Sequence, residues 1–201
     1  MKITIIAGSH RRESESTRVA RFIDSQLQSL GIQDRYVFSL ANNPLPLWDE
    51  GVWAGDPQWK DRWKPVAAQL ASSDGFVVVS PEWSGMVPAG LKNFFLLCSG
   101  DLLAHKPGLI VGVSAGLGGS YPVNELRPSS YKNTRLCYIP DHVIVRNVGT
   151  MLHGAAPASD ADEAIRKRIE YSLRILIEYS RALRAVRASG VADYKSFPYG
   201  M

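Results

Sequence analysis

Cysteine is scarce in this sequence, and no long hydrophobic run is present. Cys98 and Cys137 are the only cysteines in 201 residues, with no CxxC pair and no histidine cluster beside them. This pattern indicates neither a disulfide framework nor a metal site, and we expect both cysteines to be small buried residues. The first apolar run, Ile3–Ala7, is too short for a secretory signal or a membrane span. We therefore predict a cytoplasmic protein without a membrane partner.

A concentrated basic patch is also lacking, although the formal net charge is +4. Six arginines fall in a C-terminal segment whose apolar positions recur at helical spacing: Arg166, Arg168, Arg174, Arg181, Arg184 and Arg187. A solvated helix face explains these arginines better than a nucleic-acid surface does. We predict no nucleic-acid partner.

Short apolar runs alternate with segments of helical periodicity along the chain. Four runs are clear and a fifth is weaker: Ile3–Ala7, Phe76–Ser80, Leu109–Val113 and His142–Val148, then Tyr36–Leu40. The continuous runs of β-branched residues are typical of parallel strands that are buried on both faces. The segments between them, and one after the last, carry apolar residues at helical spacing: Val19–Leu30, Trp59–Leu70, Leu91–Cys98 and Ala161–Leu183. Pro65 indicates that the helix in the second of these segments starts or kinks there.

This alternation predicts an α/β fold with a doubly wound, five-stranded parallel sheet in the flavodoxin-like order 2-1-3-4-5 and helices on both faces. A single domain is expected over residues 1–188, followed by a tail over 189–201. The segment Asn42–Pro57 is expected to be a long ordered loop.

Three unusual loops follow the first, third and fourth predicted strands, whose carboxyl ends meet at one edge of such a sheet. The first, Gly8–Thr17, places hydroxyls and backbone N–H groups at a helix N-terminus, which favours a phosphate, and Arg11 adds a charged donor. Alternatively, Ser14 or Ser16 only caps the helix. The loop lacks the Walker lysine and the GxGxxG pattern, which argues against nucleoside triphosphates and dinucleotides.

The second loop, Pro81–Asn93, presents Trp83 either at the sheet edge or in the core, and Glu82 either in a site or as a solvated charge. The third, Ser114–Ser120, has three glycines that permit close approach to a flat ligand or simply form a flexible turn.

Together these loops resemble the NADPH-dependent FMN reductase family, which includes flavin, quinone, azo-dye and chromate reductases. The family pattern G-S-x-R-x-x-S-x-N is matched by Gly8, Ser9, Arg11 and Ser14, with Ser16 in place of asparagine. The pattern P-E-Y-N-x-S-x-P-x-x-L-K-N is matched by Pro81, Glu82, Pro88, Leu91, Lys92 and Asn93, but Trp83, Ser84 and Met86 depart from it. The patterns L-P-L-Y and S-x-G-x-G-G correspond to Leu45–Trp48 and to Ser114, Gly116, Gly118 and Gly119. The resemblance covers roughly residues 2–150.

The resemblance implies bound FMN, NADPH or NADH as co-substrate, and hydride transfer through the flavin to a small acceptor, with no catalytic side chain. Ser9, Arg11, Ser14 and Ser16 would hold the FMN phosphate. Pro81, Glu82, Trp83, Ser84 and Gly85 would line one edge of the isoalloxazine, and Ser114, Gly116, Gly118 and Gly119 the other side. His10 and His153 either line the mouth of the pocket or lie at the protein surface, and the surface is the expectation for each.

The resemblance also implies a homodimer or homotetramer, paired through the helices beside the second loop, where Phe94–Leu97 would serve both core and interface. Two alternatives remain open from the sequence: a flavodoxin-type electron carrier, and a flavin-less binding module of the same fold. Quinones, flavins, azo compounds and metal oxyanions all remain possible acceptors, and the choice between NADPH and NADH also stays open.

Overall fold

A single five-stranded parallel sheet forms the centre of the computed structural model, which describes residues 1–200. The strand order is β2-β1-β3-β4-β5 and every neighbouring pair is parallel, which confirms the predicted flavodoxin-like topology. The strands are β1 Lys2–Ala7, β2 Asp34–Ser39, β3 Gly75–Pro81, β4 Pro107–Val113 and β5 Cys137–Val145.

Seven α-helices and one short 3-10 helix connect or follow the strands within the described residues. They are α1 Glu15–Ser29, α2 Gly51–Ala54, α3 Pro57–Arg62, α4 Lys64–Ala71, α5 Ala89–Leu97, α6 Ser120–Ser129, the 3-10 helix Val148–Thr150, and α7 Asp160–Ala188. In the part of the chain that the structure describes, no helix has both the length and the apolar character to cross a membrane.

The helices bury both faces of the sheet. One apolar cluster packs α1 and α7 against the sheet through residues such as Val19 and Leu173. The other packs α3 to α6 against the opposite face through residues such as Leu70 and Phe94. Every residue of β3 and β4 is consequently buried, as expected for central parallel strands covered on two sides.

Three expectations need correction. β5 spans Cys137–Val145 instead of His142–Val148, because it is an edge strand with half-exposed positions and the exposed Pro140, so its sequence lacks a continuous apolar run. The loop Asn42–Pro57 contains the helix α2. Cys98 is buried as expected, but Cys137 is only half-buried. By contrast, the predicted interruption of the helical segment Trp59–Leu70 at Pro65 is confirmed, because α3 ends at Arg62 and α4 begins at Lys64.

The C-terminal tail folds back onto the sheet end where β4 and β5 begin. The Arg135 guanidinium lies 4.8 Å from the centre of the Tyr194 ring and donates a 2.6 Å hydrogen bond to the carbonyl of Phe197. The Tyr194 ring also stacks on His105, with ring centres 6.2 Å apart. The division into a domain over 1–188 and a tail stays a prediction.

Candidate functional site

The three loops singled out in the sequence lie together at the carboxyl ends of the central strands. Backbone hydrogen bonds tie each loop to the neighbouring strand: Gly8 N to Val79 O (2.8 Å), Glu82 N to Val113 O (2.9 Å) and Ser114 N to Val145 O (2.9 Å). All the predicted site residues therefore lie on adjacent loops at one edge of the sheet, the position where ligands bind in open α/β sheets. That these residues bind FMN stays a prediction.

Gly8 begins the first loop at a point where no side chain fits. A Cβ on this residue would lie 2.6 Å from Leu91 Cδ2 and 2.8 Å from the carbonyl oxygen of Val79. The chain can therefore turn out of β1 beside α5 only because residue 8 is glycine.

The first loop ends at the N-terminus of α1, which is capped by only one side chain. Ser14 is the N-cap, and its Oγ accepts a 3.1 Å hydrogen bond from Thr17 N, so Ser14 caps the helix whether or not it also binds a ligand. Ser16 is buried in the first turn, and Ser9 is also buried. Within residues 1–200, the backbone N–H groups from Arg12 to Ser16 have no hydrogen-bond acceptor. Several donors therefore point out of this helix end without a partner.

Two cations accompany these free donors. Arg11 and Arg12 are exposed, and neither side chain forms a hydrogen bond or ion pair within the described chain. Arg18, one turn further along α1, is committed elsewhere: it donates to the carbonyls of Leu152 (2.9 Å) and Val148 (2.6 Å). Arg11 and Arg12, unlike Arg18, therefore remain available to an anion at the start of α1.

The second loop is a tight hairpin turn. Trp83 and Met86 form an antiparallel bridge, with N–H···O bonds of 3.1 and 2.9 Å, around Ser84 and Gly85. Both central residues have positive φ, 50° and 72°, as in a two-residue type I′ turn. The two bridge hydrogen bonds stabilise the turn conformation of this segment.

Trp83 is half-buried and packs edge-on against His10, with ring centres 4.6 Å apart. Expecting His10 at the surface was wrong: it is half-buried, and its buried Nδ1 has no hydrogen-bond partner within residues 1–200. It also packs over Gly90, where a Cβ would lie 3.1 Å from Nδ1. His153 is exposed, as expected. His10 therefore joins the first and second loops, a long-range contact that sequence spacing does not reveal.

Glu82 joins the second loop to the third. Its carboxylate accepts hydrogen bonds from Gly119 N (2.7 Å) and Tyr121 N (3.2 Å) at the start of α6. The alternative of a solvated loop charge is therefore wrong. At the other side of the third loop, Arg146 Nε donates to the carbonyls of Leu117 (2.7 Å) and Gly118 (3.2 Å).

Two further residues of the second motif, Asn93 and Lys92, connect α5 to neighbouring segments. Asn93 is buried in α5, and its amide accepts from Trp48 N (2.7 Å) and donates to the carbonyl of Pro46 (2.8 Å). Lys92 forms an ion pair with Glu125 of α6. The resemblance contained these residues without assigning them a role, because their partners are distant in sequence.

The model of one protein family, the NADPH-dependent FMN reductases, matches residues 1–150. The chain belongs to this family. The matched region contains all three loops, and the resemblance stated from the motifs is confirmed.

The proteins similar to this chain include enzymes with different names. The chain is 30% identical over 126 residues to a quinone reductase of Pseudomonas putida, a match that covers 61% of this chain and 64% of that protein. It is 27% identical over 128 residues to an FMN-dependent NADPH-azoreductase of Staphylococcus aureus, covering 63% of this chain and 68% of that one. The match thus spans slightly less than two thirds of the quinone reductase.

Among solved structures, FerB from Paracoccus denitrificans, a flavoenzyme NAD(P)H:(acceptor) oxidoreductase, has a TM-score of 0.72 to this chain at 17% identity. The alignment covers 90% of this chain and 97% of FerB. At that identity the likeness establishes the fold alone, and it agrees with the observed sheet order.

Proposed function

We propose that this NADPH-dependent FMN reductase family member binds FMN and transfers a hydride from NADPH or NADH through it to a small acceptor. The observation that carries the proposal is the start of α1, where the successive amides from Arg12 to Ser16 have no acceptor and the side chains of Arg11 and Arg12 have no partner within residues 1–200. The family match over residues 1–150 and the names of the similar proteins support the same conclusion.

The donors at α1 fit a phosphate better than those at α6, the helix that follows the third loop. Glu82 already fills the N-terminus of α6 and would repel a second anion there. At α1, free N–H groups, the positive end of the helix dipole and Arg11 all favour a dianion. Ser9, Arg11, Ser14 and Ser16 are therefore the residues that would hold the FMN phosphate.

The second and third loops fit a flat ring. Pro81 to Gly85 would line one edge of the isoalloxazine, mainly through backbone groups that the type I′ turn holds in place. Ser114, Gly116, Gly118 and Gly119 would bound the other side, and a side chain at Gly116 would meet nothing within 4 Å. Loops without bulky side chains permit close contact between backbone donors and a ring.

When bound, FMN supplies the redox chemistry between the nicotinamide and the acceptor. The chain contributes a fixed cradle for phosphate and ring, and it needs no side-chain acid or base. A preorganised site of this kind lowers the barrier by orienting the reactants. Quinones, flavins, azo compounds and metal oxyanions remain the proposed acceptor classes.

We also propose a homodimer or homotetramer that pairs through the α5 face. Of the stretch Phe94–Leu97, only Leu96 has an exposed side chain, at 63%, while its neighbours pack in the core. Trp53 of α2 is 74% exposed and lies with Leu96 along a cavity of about 750 Å³ between α2, α5 and α6. An exposed apolar surface of this kind is typical of protein interfaces.

Two measurements on the purified protein test the proposed activity. A flavin absorption spectrum that bleaches under anaerobic NADPH or NADH is expected. Bound flavin that stays oxidised with both donors would indicate an electron carrier instead. A protein that takes up no FMN after incubation would show that the loops do not form a flavin site.

A further inference from the structure

Glu82 is the only acidic residue in the second and third loops, and its carboxylate reaches the start of α6. It directly follows the last residue of β3, and its backbone N–H is fixed to Val113 O at 2.9 Å. From there its carboxylate reaches the amides of Gly119 (2.7 Å) and Tyr121 (3.2 Å). The Glu82 side chain is thus bonded to Gly119 and Tyr121, which lie 37 and 39 positions further along the chain. It also fills the α6 N-terminus, where negative charge is favoured.

The third loop is shaped around this carboxylate. A Cβ at Gly118 would lie 2.4 Å from Glu82 Oε1, well inside contact distance. Gly118 therefore provides the space in which the carboxylate lies. The φ of Gly118 is not in the left-handed region, so this glycine is required by the neighbouring side chain and not by backbone conformation.

A second carboxylate holds the other end of the hairpin. Val87 N donates a 2.7 Å hydrogen bond to Glu125 Oε2, and Glu125 also pairs with Lys92 of α5. Between the two ends, a Cβ on Gly85 would lie 4.0 Å from Tyr121 Cγ, so the Tyr121 ring lies against the turn. The second loop is thus attached to α6 at its start, at its turn and at its end.

We propose that Glu82 is a positioning residue: its carboxylate locks the third loop onto the second, so that the slot for the flavin ring exists before FMN arrives. This inference rests on the proposed function. It reassigns the side chain of Glu82 from contact with the flavin to contact with the Gly119 and Tyr121 amides. It also means that the α6 N-terminus is closed to anionic ligands.

The first test measures FMN affinity by fluorescence quenching. Replacing Glu82 by alanine removes two charge-assisted hydrogen bonds, and we expect the FMN Kd to rise roughly 10- to 100-fold. Glu82→Gln keeps one acceptor oxygen, so its Kd should rise much less than that of Glu82→Ala. The control is Glu178→Gln, which, like both Glu82 variants, removes one negative charge, but on the exposed face of α7. This variant should bind FMN like the wild type.

The second test needs no flavin. In the apoprotein, amide exchange at Gly119 and Tyr121 should accelerate in Glu82→Ala and stay slow in Glu178→Gln, because only the first loses the acceptor. Gly118→Ala should accelerate the same amides by displacing the carboxylate. In the Glu82→Ala background, however, adding Gly118→Ala should have little further effect, since the displaced group is gone.

The outcomes separate this inference from the proposed function. If the wild type binds no FMN, the proposed function and this inference both fail. If the wild type binds FMN and folded Glu82→Ala binds it equally well, only the inference fails. Unchanged amide exchange in Glu82→Ala, or equal effects of Gly118→Ala in both backgrounds, would also overturn it.

Discussion

Lys106 carries a buried charge whose effect on stability can be tested by pH. It is 5% exposed, and its ammonium donates to three backbone carbonyls: Leu70 (2.9 Å), Ala71 (2.8 Å) and Leu102 (2.7 Å). It thereby joins the C-terminal end of α4 to the segment before β4. Removal from water disfavours the charged form, and the nearby Arg187 charge adds to this, so the pKa of Lys106 falls from 10.5 to about 8.

This shift makes the native protein more stable as the pH rises. Between pH 8 and 10.5 the unfolded chain keeps the proton that the native Lys106 releases, so the free energy of unfolding increases across that window. A shift of this size corresponds to about 3 kcal/mol in total. Most of this change should appear between pH 8 and 10. Other titrating groups contribute equally to the wild type and to a Lys106→Met variant, so their contributions cancel in the difference between the two.

The assay is urea unfolding of the wild type and Lys106→Met from pH 7 to 10. The difference between their free energies of unfolding should be flat below about pH 7.5 and then change in favour of the wild type by about 2 kcal/mol or more. Lys64→Met, at an exposed position of α4, should show a flat difference throughout. A flat difference for Lys106→Met would refute the argument that burial controls this charge.

Four further substitutions test the site and its support. Arg11→Met should weaken FMN binding roughly tenfold, by loss of a charged donor, and leave riboflavin binding unchanged in fluorescence titrations; equal losses for both ligands would contradict a phosphate contact. Ser14→Ala removes the N-cap of α1 and should lower apoprotein stability by about 1 kcal/mol in urea unfolding, whereas unchanged stability would contradict the capping role. Asn93→Ala leaves Trp48 N and Pro46 O without partners and should destabilise the fold by about 2 kcal/mol, an effect that Asn124→Ala, on an exposed face of α6, should not reproduce. The proposed pairing through α5 predicts a dimeric or tetrameric wild type and a monomeric Leu96→Asp variant in light scattering; a monomeric wild type would refute the pairing, and an unchanged oligomeric mass would place the interface elsewhere.

Much of the fold follows from local sequence. Continuous β-branched runs such as Phe76–Val79 identify the central strands, because a strand covered on both faces needs apolar residues at every position. Helical spacing between the runs, together with the right-handed crossover rule, then restricts the sheet order. The three loops were also evident, since the residues of each motif are contiguous in the sequence.

Only the tertiary structure decided the contacts between segments that are distant along the chain. Glu82 and the amide of Gly119 are 37 residues apart, and Asn93 meets Pro46 across 47 positions. The same limit applies to the contact between His10 and Trp83 and to the bounds of β5, whose edge position leaves most of its residues partly exposed. Periodicity records which face of an element is buried, but it does not record which polar groups meet. The sequence by itself therefore determined the sheet and the loops that carry the site, whereas the packing of those loops against one another decided which carboxylates and amides hold the site in place.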